Sequence, residues 1–375
     1  MKMTKIETLL TQVGTRADEK TGAINTPIYL STAYRHAGLG ESTGYDYTRT
    51  KNPTRSVLEN EFAKLEFGDD CFACSSGMAA VHLVLSLFKS GDTILYPEDL
   101  YGGTYRLATQ YETQYGIRAI FNNFSDFDVL EKQIMTEKPQ ALLIETPTNP
   151  LMQEISIEKC AELAKKYDLM LIVDNTFLTP YYQRPIELGA HIVIHSGTKY
   201  IGGHNDVLAG LVVSKGAELG EKLFKQHNAI GMTLSPFDSW LLLRGLKTLH
   251  LRMKQHTLNA KEMVAFLENS PLVKDVLYAG LGGMVSFRLQ SGAMIAPFLK
   301  NLQLIAFAES LGGVESFITY PTTQTHADIP EHIRIERGVD DALLRFSVGI
   351  EEAEDLLADL QQVFKTLENE VLIND

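Results

Sequence analysis

One pattern constrains the middle of this chain more than any other. Short β-rich runs at Thr93–Tyr96, Ala119–Phe121, Ala141–Glu145, Leu169–Val173, His191–His195 and Leu208–Val213 recur, several of them separated by helix-length polar segments such as Ile157–Lys166. Repeated strand–helix–strand units predict an α/β fold with a mostly parallel sheet flanked by helices on both faces. Chemistry in such sheets collects at the carboxyl ends of the strands. Upstream, Thr54–Leu65 predicts a helix with Val57, Leu58, Phe62 and Leu65 on one face, and Met78–Phe88 a second, entered through Ser75-Ser76-Gly77. The stretch before them, about 60 residues rich in Gly, Thr, Tyr and Pro, predicts an extended arm.

After Ser235 the character changes. Trp240–Leu267 reads as one long or broken helical region, followed by strand-like Met284–Leu289, helix-like Ala296–Leu302, strand-like Leu344–Val348 and a closing helix over Asp355–Leu367. This predicts a smaller α+β C-terminal domain. The expected division is an arm over 1–55, a main domain over 56–245 and a C-terminal domain over 246–375. The length of 375 residues agrees, exceeding the ~250–300 at which single cores stop growing.

Charge narrows the function. Lys and Arg number 34 against 47 Asp and Glu, a formal net charge of −13. That argues against nucleic acid, whose phosphates need a basic face, and against a polybasic membrane anchor. No run approaches the ~18 apolar residues of a membrane span, and Met1–Glu7 has no apolar signal region. Three cysteines, an odd and low count, fit a reducing cytoplasm. Cys71 and Cys74 form a C-x-x-C pair with no second pair to complete a zinc site, so they read as small packing residues near a strand end. The histidines lack ligand spacing, and no metal is expected.

The residues most suggestive of chemistry lie in His195-Ser196-Gly197-Thr198-Lys199-Tyr200-Ile201-Gly202-Gly203-His204. A lysine directly after a β-run is often merely solvated. Placed between hydroxyl residues and glycines, it can instead form a Schiff base with an aldehyde cofactor, with Ser196 and Thr198 holding a phosphate. Such a cofactor needs a carboxylate against its ring nitrogen, and Asp174 ends the apolar run Leu171-Ile172-Val173. A charged residue closing a buried strand is costly unless paired. A phosphate also needs a cradle; Ser75-Ser76-Gly77-Met78 leads small residues into a helix N-terminus with unpaired N–H groups. Tyr101, before Gly102-Gly103, is placed to stack on a ring.

Together these elements resemble the Cys/Met metabolism family of pyridoxal-phosphate enzymes over nearly the whole chain. Five blocks carry the resemblance: Tyr45 to Arg55 (YDYTRTKNPTR), Glu145 to Pro150 (ETPTNP), Val173-Asp174-Asn175-Thr176, His195 to His204, and Ala308 to Ser316 (AESLGGVES). The pattern is similar to the Bacillus-type cystathionine γ-synthase / O-acetylhomoserine thiol-lyase group. The resemblance implies the fold-type I, aspartate aminotransferase-like architecture, with 56–245 the domain that binds pyridoxal 5'-phosphate. It assigns Lys199 as the Schiff-base lysine, Asp174 as the ring-nitrogen partner, and Tyr101 as the stacking residue that also moves protons. Gly77, Met78, Ser196 and Thr198 match phosphate ligands, with Thr176 a further cofactor contact. Tyr47 and Arg49 match residues reaching the phosphate of a neighbouring subunit, which would explain the arm and implies a homotetramer. Arg345 matches the arginine that grips a substrate α-carboxylate, Asn149 and Ser310 its helpers, and Arg106 and Glu309 residues near the distal part of the substrate.

The implied activity is replacement at Cγ of an O-acylhomoserine by a thiol, either cysteine or sulfide, in the cytoplasm. A cystathionine γ- or β-lyase is the alternative within the family, and a non-catalytic scaffold protein the alternative outside it. One departure stands out: some cystathionine γ-synthases carry a second arginine after the residue matched by Arg49, and here that position is Thr50.

Overall fold

The computed structural model describes residues 4–374. Seven strands form the larger sheet: β1 (Asp70–Cys74), β2 (Thr93–Pro97), β3 (Arg118–Asn122), β4 (Ala141–Glu145), β5 (Met170–Asp174), β6 (Ile192–Ser196) and β7 (Gly210–Ser214), in spatial order β1-β7-β6-β5-β4-β2-β3. Strands β3, β2, β4, β5 and β6 run parallel, whereas β7 is antiparallel to both neighbours, β6 and β1. Helices cover both faces, so these strands are apolar on both sides. Leu142, Ile144, Leu171, Val173 and Val193 join a core with Leu58 and Phe62 of helix Pro53–Leu65. Leu143, Ile172, Ile192 and Ile194 pack on the opposite face against Ala80, Val81 and Val84 of helix Gly77–Leu85. Each such side chain contributes about 1.5–3 kcal/mol when taken fully out of water.

The C-terminal part holds a second sheet of β8 (Val273–Leu277), β9 (Met284–Leu289), β10 (Ala306–Phe307), β11 (Phe317–Thr319) and β12 (Leu343–Ser347), ordered β10-β11-β12-β9-β8. Its core is aromatic: the Phe298 ring meets Phe287 and Phe364 edge-on at centroid separations of 5.9 and 5.7 Å. Leu356, Leu360, Val363 and Leu367 of the closing helix Ala353–Asn374 complete it at helical spacing.

Two sequence expectations need revision. The N-terminal stretch is not all arm. Residues Ile6–Gln12 form a helix, and Leu10 and Val13 are fully buried in the main core. The short i, i+3, i+4, i+7 pattern of Ile6, Leu9, Leu10 and Val13 is the signal for it. Beyond it the chain is extended and carries exposed Ile24, Leu30 and Leu39. The arm's root is fixed by the buried Arg55, which donates to the Thr48, Arg49 and Leu234 carbonyls at 2.8, 3.2 and 3.3 Å. Second, β1 is an additional strand, paired to β7 rather than to its sequence neighbours. The region read as one long or broken helix is the broken form, Pro236–Leu246 and Leu249–Glu268. Arg252 stabilises the break by donating to the Gly245 carbonyl (2.8 Å) and, across to the strand-end loop, to the Tyr200 carbonyl (2.6 Å).

Candidate active site

The carboxyl ends of β4, β5 and β6 present Glu145, Asp174 and Ser196 along one edge of the sheet, at the mouth of a single cavity. Register places Glu145 directly beside Asp174 on the neighbouring strand. Asp174 Oδ1 accepts from the Thr176 amide at 3.0 Å and its hydroxyl at 2.6 Å. The same hydroxyl oxygen accepts the Ser196 N–H at 2.9 Å, so Thr176 ties β5 to β6 at the site. Burial pushes the Asp174 carboxyl upward, while the Thr176 hydrogen bonds and His195 act against that.

The helix Gly77–Leu85 starts beside Ser196. Its cap is Ser76, whose side chain accepts from Ala79 N at 3.0 Å. A Cβ on Gly77 would lie 2.9 Å from both Cβ and Oγ of Ser196, so only glycine leaves the gap open. Ser76, Gly77, Met78, Ser196 and Thr198 all line the cavity there. The first N–H groups of a helix point outward without partners, which makes the gap an anion cradle. The Thr198 hydroxyl also braces the wall, 3.2 Å from the Ala209 carbonyl.

Lys199 follows β6 and is largely buried; its Nζ donates to Ser310 Oγ at 3.1 Å. Burial, aided by the nearby Arg345 charge, lowers its pKa to about 8, against the pull of Glu309. A neutral amine is the nucleophile for an aldehyde, and the neutral fraction rises with pH. Capture of an aldehyde cofactor by the cofactor-free chain is therefore expected to accelerate about tenfold per pH unit below pH 8 and to level above it. Stopped-flow absorbance across pH 6–10 checks this; a midpoint near the ordinary lysine value (~10.4) refutes it.

Arg345, on β12, is 1 % exposed and crosses from the second sheet to the same cavity. Its guanidinium donates to Asn149 Oδ1 (3.0 Å), the Ser310 carbonyl (3.0 Å) and Thr319 Oγ1 (3.1 Å), and Nε has no partner. No carboxylate pairs with it among the described residues. Burial accordingly lowers its pKa to about 10. A buried guanidinium held by neutral groups is a standing demand for an anion. Gly312, at φ +73°, lets the loop bearing Ser310 close over this region; a Cβ there would sit 2.8 Å from Tyr200 N.

Tyr101 lines the cavity, and burial raises its phenol pKa. A Cβ on Gly103 would lie 2.5 Å from the Tyr101 ring, which explains the small residue there. Glu309 lines the same cavity. The single chain thus gathers Gly77, Met78, Tyr101, Asn149, Asp174, Thr176, Ser196, Thr198, Lys199, Glu309, Ser310 and Arg345. It does not bring in Tyr47, Arg49 or Arg106. Tyr47 and Arg49 lie on the exposed arm, the guanidinium 5.7 Å from the Tyr47 ring centroid, and Arg106 is exposed and paired with Asp328. Tyr47 and Arg49 stay outside because the backbone there is tied at the arm's root by the Arg55 bonds to the Thr48 and Arg49 carbonyls, and Arg106 stays outside because it is paired with Asp328 at the surface.

Two residues escaped sequence reasoning. Glu145 closes a buried strand just as Asp174 does, and that parallel was the available signal. His326 is fully buried with Nε2 at 3.1 Å from the Asn149 carbonyl and 3.3 Å from that of Leu100; it bridges the loops carrying Asn149 and Tyr101. Burial drives its pKa down to about 4, so it works as a neutral donor. Nothing in its sequence surroundings marks it. The cysteines are free and buried, with thiol pKa values raised by burial, and His195 is engaged by Glu66 at 2.6 Å.

An α/β sheet with an anion cradle, a partly deprotonated lysine and a carboxylate on adjacent strand ends defines a pyridoxal-phosphate enzyme. The residues fit that group: the gap kept open by Gly77 suits a phosphate, and Lys199 and Asp174 face the same cavity. Residues 7–365 match the Cys/Met metabolism PLP-dependent enzyme family, and the chain belongs to it. It is 61% identical over 357 residues, 95% of either chain, to the cystathionine gamma-synthase/O-acetylhomoserine (thiol)-lyase of Bacillus subtilis. It is 57% identical to the cystathionine gamma-synthase of Haemophilus influenzae, covering 96% of this chain and 98% of that one. The crystal structure of cystathionine gamma synthase from Xanthomonas oryzae pv. oryzae, in complex with aminoacrylate and cysteine, superposes with a TM-score of 0.95 at 39% identity, over 98% of this chain and 99% of that one.

Proposed function

We propose that this enzyme replaces the acyloxy group at Cγ of O-acetylhomoserine with a thiol, giving cystathionine from cysteine or homocysteine from sulfide, with acetate released. The observation that carries this reading is the buried, carboxylate-free Arg345 facing the same cavity as Lys199. An amino-acid substrate supplies the missing anion and presents its Cα to the lysine. The relatives at 61% and 57% identity point to the synthase direction.

When bound, pyridoxal phosphate is the electron sink that makes the Cα and Cβ protons of the substrate removable. The chain's residues do the rest. Gly77, Met78, Ser196 and Thr198 would hold the cofactor's phosphate, and Asp174, steadied by Thr176, would be the partner of its ring nitrogen. Arg345 grips the α-carboxylate as a planar fork, with Asn149 and Ser310 fixing its plane. Lys199 Nζ holds the cofactor, then takes the Cα proton and next the Cβ proton. Tyr101 covers the ring and moves the proton of the incoming thiol. The Cγ–O bond breaks with departure of acetate, and the C–S bond forms in its place.

The arm supports a wider assembly. Its exposed Ile24, Leu30 and Leu39 need cover, and a second copy supplies it while receiving Tyr47 and Arg49 at its own cradle. We assign a homotetramer and a cytoplasmic setting. No described helix is long and apolar enough to cross a membrane.

Product analysis decides the reaction. O-acetylhomoserine with cysteine is expected to give cystathionine and acetate; consumption of cystathionine alone, with no γ-replacement, makes the enzyme a lyase.

A further inference from the structure

Glu145 and Asp174 are two carboxyls side by side on β4 and β5, the first buried and the second half-buried, and both line one cavity. Only Asp174 has a use in the mechanism above, and two adjacent carboxylates so placed cannot both stay ionised cheaply. The surroundings decide which holds the proton. Asp174 accepts two hydrogen bonds from Thr176 and has the His195–Glu66 pair behind it. Glu145 is 7 % exposed and faces two other acids, Asp174 on β5 and Asp99 on the loop after β2. Its Oε2 accepts the Tyr101 N–H at 3.0 Å, with the Asn149 N–H also acting on it; Oε1 has no partner. The Tyr101 phenol is neutral, and Arg345, across the cavity on β12, is the cation facing it.

We propose that Glu145 is held as the neutral acid, with its proton on the otherwise unpartnered Oε1, so that the pair carries one negative charge and all of it resides on Asp174. Glu145 is thus a positioning residue: it acts through Asp174, keeping that anion undivided for the ring nitrogen. Burial and the Asp174 charge raise the Glu145 pKa well above the usual glutamate value, in keeping with this. The inference rests on the cofactor reading, because the ring nitrogen is what Asp174 faces.

The test compares the wild-type holoenzyme with Glu145→Gln, a neutral isostere of the protonated acid. Infrared difference spectra at pH 7.5, a setting of about neutral pH chosen to lie above the ordinary glutamate range, are expected to show a carboxylic-acid carbonyl stretch in the wild type that is missing in the variant. Linkage gives a second readout. A group with a raised native pKa binds more protons folded than unfolded, so its contribution falls as pH rises from the ordinary glutamate value to the native one. Across that window the wild-type unfolding constant is expected to rise about tenfold per pH unit relative to E145Q, which lacks the group. A wild-type spectrum with no acid stretch, or parallel pH dependence of the two unfolding constants, overturns the proposal. Should E145Q fail to fold, the wild-type acid stretch and its shift in heavy water still decide. Borohydride reduction followed by peptide mapping tests the cofactor separately: no adduct on Lys199 defeats the functional reading, whatever the infrared spectrum shows.

Discussion

Lys199→Ala is expected to abolish turnover, with kcat reduced about 10^4-fold or more, and to leave no cofactor covalently attached after borohydride reduction. The size follows from three duties on one atom. In the proposed mechanism Nζ attaches the cofactor, removes the Cα proton and handles the Cβ proton, and no other amine lines the cavity among the described residues. Its setting explains why it is ready for them. Burial and the Arg345 charge bring its pKa to about 8, so a useful fraction is neutral at physiological pH. Deletion relieves a buried amine of its desolvation cost, so circular dichroism and thermal unfolding are expected to stay close to wild type while activity vanishes. Activity within tenfold of wild type refutes the assignment.

Arg345→Ala is the second large effect. Truncating one member of a buried, hydrogen-bonded charge pair costs about 2–5 kcal/mol, which is a loss of roughly 30- to 4,000-fold in kcat/KM. The loss is expected to fall mainly on substrates with a free α-carboxylate and to leave the bound cofactor in place. Arg345→Lys keeps the charge and loses the planar fork, so intermediate values are expected. Substrate amides, which lack the anion, provide the control: wild type and R345A are expected to handle them alike. Equal loss on acid and amide shows that Arg345 only braces the loop bearing Ser310.

The sheet was legible because its strands are covered on both faces and therefore read as continuous apolar runs; all six anticipated runs match observed strands to within two residues at either end. Leu208 was the exception in kind. It is exposed and stands outside β7, which starts at Gly210, and it lines the cavity instead. The N-terminal helix was missed because seven residues give too few turns to separate a periodic pattern from a loop. β1 was missed because it borders β7, from which some 140 residues of chain divide it, and pairing at that distance leaves no local mark.

The same division runs through the site. Lys199, Asp174 and Gly77 could be named from local pattern, since each is an amino acid out of keeping with its immediate surroundings: a charge following an apolar strand, or a glycine opening a helix; Arg345, in the middle of β12, was named only through the family resemblance. Their convergence was a matter of folding. Arg345 reaches Asn149 across 196 positions of chain, and Lys199 reaches Ser310 across 111. The pairing of Glu145 with Asp174 was decided by the register of β4 on β5, and the burial of His326 by a loop folding back on the sheet edge. Sequence alone determined which side chains this protein has for chemistry, because local pattern reports local environment. Only the tertiary structure decided their charges, because protonation depends on which distant groups exclude water from each one.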